Sequence, residues 1–599
     1  MTSNGLASSR VSWRHALALL AIVVAAPSRA QTGEPVVDDA ALLAAARTPD
    51  TWLSYGRDYA ETRFSPLAQV DTSSVARLGL AWSYDTGALR GHEATPLVAN
   101  GVLYATTSWS DVFALDARTG ALIWKWDARA DRVRGARACC DAVNRGVALY
   151  DGKGYVGILD GRLAALDAAT GKPVWDVQTT PVDQPYTITG APRVVDGKVV
   201  IGNGGAELGV RGFVSAYDAQ TGALVWRVYT VPGDPSKPFE SPALEAAAKT
   251  WTGEWWTMGG GGTAWDAFAY DPEAKLLYVG TGNGSPWDRN IRSPGGGDNL
   301  YLSSILALNV ETGELVWHYQ HAVDHWDLDH PYERLLIDTA VTPDASEVPW
   351  INPRLAPGER RRVVTGIPGK TGLVYTLDRA TGEFLWARPT VFQNVIKNID
   401  GATGKVEVDP ERIFTEKGQT LMVCPGTNGG KNWPAGAYSP RTRTMYFTMA
   451  NTCMRTTSVA AVATPEMIYA IDNETMIAPD ADGKAGTLRT IAVETGKASW
   501  RYDQRAALTA LLATGGDLVF GGDVAGTFRA FDARTGEVLW ETSLDSQITG
   551  HPVTFAVDGT QYIAVSTGRS NMTGALARLT PDVAPAESPN KLFVFALQD

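Results

Sequence analysis

The chain is poor in cysteine, with four in 599 residues. No Cys-x-x-Cys-His occurs among them, which excludes covalently attached c-type haem. Histidine is scarce too. Four of the seven, His318, His321, His325 and His330, crowd one stretch, but their spacing fits no standard zinc pattern. Basic residues are outnumbered, 53 Lys and Arg against 65 Asp and Glu, for a formal charge of −12. That balance argues against a nucleic-acid partner and favours a basic soluble one. Long apolar runs are missing beyond ALALLAIVVAA at 16–26, which follows Arg10 and Arg14. That run is too short to span a bilayer, and Ser28 and Ala30 fit a small-residue cleavage site. We expect a secretory signal over residues 1–30, and an exported chain that does not span the membrane and can form disulfides. Cleavage would remove three arginines and no acid, taking the charge from −12 to −15.

What the chain has instead is a repeat. ALDARTGALIW ends at Trp124, and related segments end at Trp175, Trp226, Trp317, Trp386, Trp500 and Trp540. Each carries Thr-Gly with Trp four residues after that Gly. The unit predicts a strand, a tight turn and a returning strand. Asp or Asn opens the turn, Gly supplies its positive-φ position, and Trp packs on the neighbouring unit. LAWSYDTG at Trp82 and AFAYDPEAKLLYVGTG at 268–282 read as degenerate copies. Short alternating strands fill the intervals, with no amphipathic helix of useful length between them. These signals predict an all-β radial repeat, an eight-bladed β-propeller over residues 31–599 as one domain. The segment KLFVFAL near the C-terminus is expected to pair with N-terminal strands and close the ring. The longer intervals leave room for functional loops.

Several of those loops carry oxygen donors. Glu207 lies in GNGGAELGVRG, Asn283 in VGTGNGSPWD, and Asp327 and Asp329 in DHWDLDHP. Such donors from separate loops suit a hard cation such as Ca²⁺. GARACCDAVNRG at 135–146 holds Cys139 and Cys140 side by side. Adjacent Cα atoms sit about 3.8 Å apart, closer than an ordinary disulfide prefers. From the residues alone the pair reads as two thiols, halves of two bridges, or one vicinal disulfide.

The Thr-Gly-x-x-x-Trp unit and these loops resemble the quinoprotein alcohol dehydrogenases of the methanol/ethanol dehydrogenase type, which bind pyrroloquinoline quinone (PQQ). The resemblance runs from WLSYGRDYAETRFSPL (52–67) to the C-terminal strand; residues 363–455 are also similar to sorbose/sorbosone-type quinoproteins. It implies that Glu207, Asn283 and Asp327 bind a metal with PQQ, and that Asp327 is the general base for an alcohol hydroxyl. Lys370, in IPGKTGLVYTLD, falls where the family places a cation beside the quinone oxygens. Asp329 matches the lanthanide-dependent members, so the ion is Ca²⁺ or a lanthanide such as La³⁺ or Ce³⁺. Trp265 in GGGGTAWDAF matches the tryptophan that stacks on one PQQ face. Glu93, Arg145, Thr189, Gly204, Gly205, Asn432 and Trp433 match rim contacts. In this family setting Cys139–Cys140 reads as a vicinal disulfide against the other PQQ face.

In an exported chain, Cys424 and Cys453 are expected to bond to each other. Electrons would leave to a separate soluble cytochrome c in the periplasm. The substrate is expected to be a primary or secondary alcohol, up to bulky or sugar-like ones. A non-catalytic propeller scaffold of the outer-membrane assembly type is the alternative, because similar repeats occur there without chemistry.

Overall fold

A computed structural model describes residues 36–135, 138–459, 471–583 and 588–598. The expected signal segment, 1–30, lies outside the described residues.

The strands form eight sheets of four or five strands, at 97–126, 148–178, 193–229, 268–320, 335–389, 437–504, 508–543 and 553–597. We number them blades 1 to 8. Each has an antiparallel core running outward from a buried inner strand; Phe64–Ser65 adds a parallel strand to blade 7, and Trp350–Ile351 adds the outermost strand of blade 5. The longest α-helix among the described residues, Asn571–Arg578, has 8 residues, and no helix there is long and apolar enough to cross a membrane. The ring closes through the chain ends: Lys591–Leu597 pairs antiparallel with Leu78–Asp85, which is the outer strand of blade 8.

The repeat segments are the outer hairpins. In blade 1 the Asp116 carboxylate accepts from the Arg118 and Thr119 amides at 3.1 and 2.8 Å, and Gly120 has φ +74. A Cβ on Gly120 would lie 2.5 Å from the indole of Trp82. The same relation recurs from blade to blade. Trp124 packs on Gly171, Trp175 on Gly222, Trp226 on Gly313, Trp317 on Gly382, Trp386 on Gly496 and Trp500 on Gly536. Each glycine therefore serves twice, by adopting a positive φ and by leaving a seat for the preceding blade's tryptophan. Several indoles also donate across the seam, as Trp124 Nε1 does to the Ala168 carbonyl at 3.0 Å. Trp540 donates to the Leu78 carbonyl at 3.0 Å and so joins blade 7 to blade 8. Trp82 is thus a working member of the set. The segment 268–282 is not: its strands Phe268–Asp271 and Leu276–Gly280 form the inner hairpin of blade 4, whose docking turn is at Asn309–Gly313.

The meander decides where a site can lie. In each blade the turns joining strands one to two and three to four fall at one end. The loops joining two to three, and those leading to the next blade, fall at the other. The docking turns belong to the first end. The long insertions (230–267, 281–303, 321–334, 390–436, and the described residues of 451–485 and 567–590) belong to the second.

Candidate active site

Those second-end loops surround one cavity, whose interatomic space reaches about 950 Å³ with its open mouth included. Cys139 and Cys140 enter from the blade 1–2 connection, Thr189 from the blade 2–3 connection, and Gly204, Gly205 and Glu207 from within blade 3. Trp265 arrives between blades 3 and 4, Asp327 and Asp329 between blades 4 and 5, and Lys370 from within blade 5. Asn432 and Trp433 precede blade 6.

Arg145 organises one wall. Its Nη2 donates to Glu93 Oε2 at 2.7 Å and its Nη1 to Thr189 Oγ1 at 2.8 Å. Its guanidinium lies 4.9 Å from the Trp265 ring centroid and 5.6 Å from that of Trp433. Glu93 does not itself line the cavity; it acts through Arg145. Burial raises the Glu93 carboxyl above its ordinary range, and Arg145 opposes that shift. The cysteines are bonded to each other as Cys139–Cys140, and Cys424 to Cys453. The vicinal pair faces the cavity.

The acidic corner is tightly linked. Lys370 Nζ lies 2.6 Å from Asp327 Oδ1 and 2.9 Å from Asp329 Oδ2. Asp329 Oδ1 accepts from Trp265 Nε1 at 3.3 Å and from the Asn283 amide at 3.0 Å. A Cβ on Gly282 would lie 2.5 Å from that same oxygen, so the glycine makes room for the carboxylate. Asp327 is buried with φ +88, a left-handed backbone that costs a non-glycine residue about 1–3 kcal/mol. Burial holds the Asp327 carboxyl well above the ordinary range; Lys370 works against that shift, and Asp329 and Glu207 add to it. Burial also pushes Glu207 up to about 7, with Asp329 adding to it, although part of its side chain opens to the cavity. Burial opposes the Lys370 charge, but Asp327 and Asp329 outweigh it and hold the ammonium above its ordinary range.

Two carboxylates, Asp327 and Asp329, therefore share one ammonium, Glu207 lines the same cavity, and Asn283, which does not line it, reaches Asp329 through its amide. Asn283 Oδ1 is buried without a hydrogen-bond partner, and Asp327 Oδ1 meets Lys370 off the axis a hydrogen bond requires. Among the described residues no three His, Cys, Asp or Glu side chains close on one point as a finished metal shell would. The donor set is all oxygen, anionic and short of positive charge, which fits a hard cation. The flat walls of Trp265 and the vicinal disulfide, with Arg145 at the rim, fit a planar polycarboxylate. The histidine stretch is structural: His321 and His330 stack at 5.3 Å, and burial lowers both.

Sequence reasoning missed several neighbours. Trp287 and Met572 line the cavity, Met572 from the short helix of blade 8. Asp266 is buried, with Oδ1 3.6 Å from Arg145 Nε, and burial pushes it up to about 7. No motif marks these residues; only adjacency to Trp265 could have drawn attention to Asp266.

A family profile described as "PQQ: Glucose/ethanol/alcohol dehydrogenase, beta-propeller domain" matches residues 52–397 and 482–563. A quinohemoprotein alcohol dehydrogenase of Pseudomonas putida is 44% identical over 566 residues, covering 94% of this chain and 79% of that protein. A 1-butanol dehydrogenase (cytochrome c) of Thauera butanivorans is 39% identical, covering 91% and 78%. Among solved structures, the quinohemoprotein alcohol dehydrogenase of Comamonas testosteroni superposes with a TM-score of 0.85 at 39% identity, covering 94% of this chain and 82% of that one. A europium-containing methanol dehydrogenase superposes with a TM-score of 0.84 at 33% identity, covering 93% and 100%.

Proposed function

The chain belongs to the PQQ-dependent alcohol dehydrogenases, and on that premise we propose that it oxidises primary or secondary alcohols, bulky or sugar-like ones included, in the periplasm. Residues 31–599 act as a single PQQ-binding propeller domain. One observation carries this reading: Asp327, Asp329, Glu207 and Lys370 share one cavity with Trp265 and the Cys139–Cys140 pair.

When bound, PQQ would supply a hydride acceptor for the carbinol carbon, and the cation a Lewis acid. Glu207, Asn283 Oδ1, Asp327 and Asp329 would hold that cation. Asp327 takes the proton of the alcohol hydroxyl. The Lys370 ammonium favours the ionised form that a base needs. Asp329 adds a further carboxylate, which suits a trivalent ion, so Ca²⁺ or a lanthanide such as La³⁺ or Ce³⁺ serves. The europium in a structurally similar methanol dehydrogenase supports that alternative. Trp265 would pack on one cofactor face and the vicinal disulfide, which lines the same cavity, on the other. Arg145, with Glu93 and Thr189 behind it, grips the rim together with Gly204, Gly205, Asn432 and Trp433. Electrons leave to a soluble cytochrome c; the acidic chain suits a basic acceptor, and the Thauera relative's name includes cytochrome c.

The test is reconstitution. Apoprotein given PQQ with Ca²⁺ or La³⁺ should reduce a dye when supplied with alcohols from a panel of short, branched, diol and sugar substrates. No PQQ uptake and no rate with any alcohol would leave the scaffold reading in its place.

A further inference from the structure

Asp324 does not line the cavity, yet it is completely buried and fully engaged. Its Oδ1 accepts from the Asp327 and Leu328 amides at 3.1 and 2.6 Å. Its Oδ2 accepts from the Gly284 amide at 2.9 Å, in the loop that carries Asn283. Arg292 lies 3.0 Å from the same carboxylate, and its side chain is also wholly buried. That guanidinium further holds the Pro286 and Trp287 carbonyls at 2.6 and 2.8 Å. A Cβ on Gly284 would lie 2.4 Å from Arg292, so the loop is built around the ion pair.

Two consequences follow from this geometry. Asp327 sits at φ +88, and a strained backbone persists only where its surroundings over-determine it. The Asp324 carboxylate supplies that constraint by capturing the amides of Asp327 and Leu328. It also ties the Asn283 loop to the Asp327–Asp329 loop at the ligand-bearing residues, beside the Asn283 amide on Asp329, the His330 amide on the Thr281 carbonyl and the Ser303 hydroxyl on the Leu328 carbonyl. A charged acceptor serving several amides is a strong device in a dry interior.

We propose that the Asp324–Arg292 ion pair is the positioning element of the site. It holds Asp327 in its left-handed conformation and sets the spacing between the Asn283 and Asp327 oxygens, without contacting substrate, cofactor or metal. This rests on the reading of Asp327 as base and of Asn283 and Asp327 as cation ligands.

The test replaces both charges together, Asp324→Asn with Arg292→Gln, so that neither is left buried alone. Full-length protein is studied both stripped and reconstituted with PQQ. In the reconstituted enzyme kcat should fall by about 100-fold, the cost of small misplacement at a reacting centre, while KM stays within about threefold. In the PQQ-loaded protein, calcium titration followed by tryptophan fluorescence should show affinity lowered at least about tenfold, the range seen when supports behind metal ligands are lost. Wild-type kcat and calcium affinity in a folded double variant would overturn the proposal. If that variant does not fold, Arg292→Lys decides, because it keeps the charge but cannot reach the same set of acceptors. Intermediate losses in kcat and calcium affinity support the proposal, and wild-type values overturn it. Asp327→Asn, run alongside, separates the two readings. If Asp327→Asn stays active, the assignment of the base fails. If it is inactive while the pair variants behave as wild type, only the positioning role fails.

Discussion

Lys370 places its ammonium 2.6 Å from Asp327 Oδ1, with both side chains buried. Burial raises the Asp327 carboxyl well above its ordinary range, and the ammonium opposes that shift. A base that must take a proton from an alcohol needs that counterweight, and so does the fold around three gathered acids.

Asp327→Asn keeps shape and removes the proposed base. Turnover should fall by at least about 100-fold, the scale of a positioned general base, with PQQ retained. Steady-state kinetics beside a PQQ absorbance titration checks both halves. Undiminished activity would refute the role.

Asp329→Ala removes one Lys370 contact and the acceptor of both Trp265 Nε1 and the Asn283 amide. Lanthanide-supported activity should fall more than calcium-supported activity, because the trivalent ion needs the added charge. Parallel assays with La³⁺ and Ca²⁺ decide this; equal losses would mean that Asp329 supports the loops and does not select the ion.

Trp265→Ala takes away a cavity wall and the surface beneath the Arg145 guanidinium. PQQ affinity should weaken by about tenfold or more, the equivalent of about 1.4 kcal/mol. Equilibrium binding to stripped protein measures it, and unchanged affinity would refute stacking.

Asp266 is a buried carboxyl whose pKa is raised by burial to about 7 from 3.8. The sign is set by proton binding: in that window the folded chain holds more protons than the unfolded one, so stability is lost as pH rises. Metal-free protein should lose Tm across this window, and Asp266→Asn should make the loss smaller. An unchanged slope in thermal melts over that range would show that Asp266 does not titrate there.

Cys139 with Cys140, Trp265, Glu207 and Asp327 with Asp329 could be read as candidate site residues because their short segments match motifs of the family the chain resembles. Trp287, Met572 and Asp266 could not. Their segments look ordinary, and only the packing of distant loops makes them neighbours of the site. The segment 268–282 misled for the related reason that an inner hairpin and an outer docking hairpin are built from the same strand-turn-strand pattern.

By itself the sequence determined the radial repeat, because a Thr-Gly turn followed by Trp is a local hairpin signal repeated at every blade. Through the family resemblance it also marked which loops are candidates for the chemistry. The tertiary structure decided the rest. Each tryptophan's seat is the glycine of the next blade, a contact between units. The left-handed Asp327 and the buried Asp324–Arg292 pair beneath it depend on two loops meeting at one end of the ring. Spacing along one chain does not encode that meeting, since it arises only when eight sheets close around a common axis.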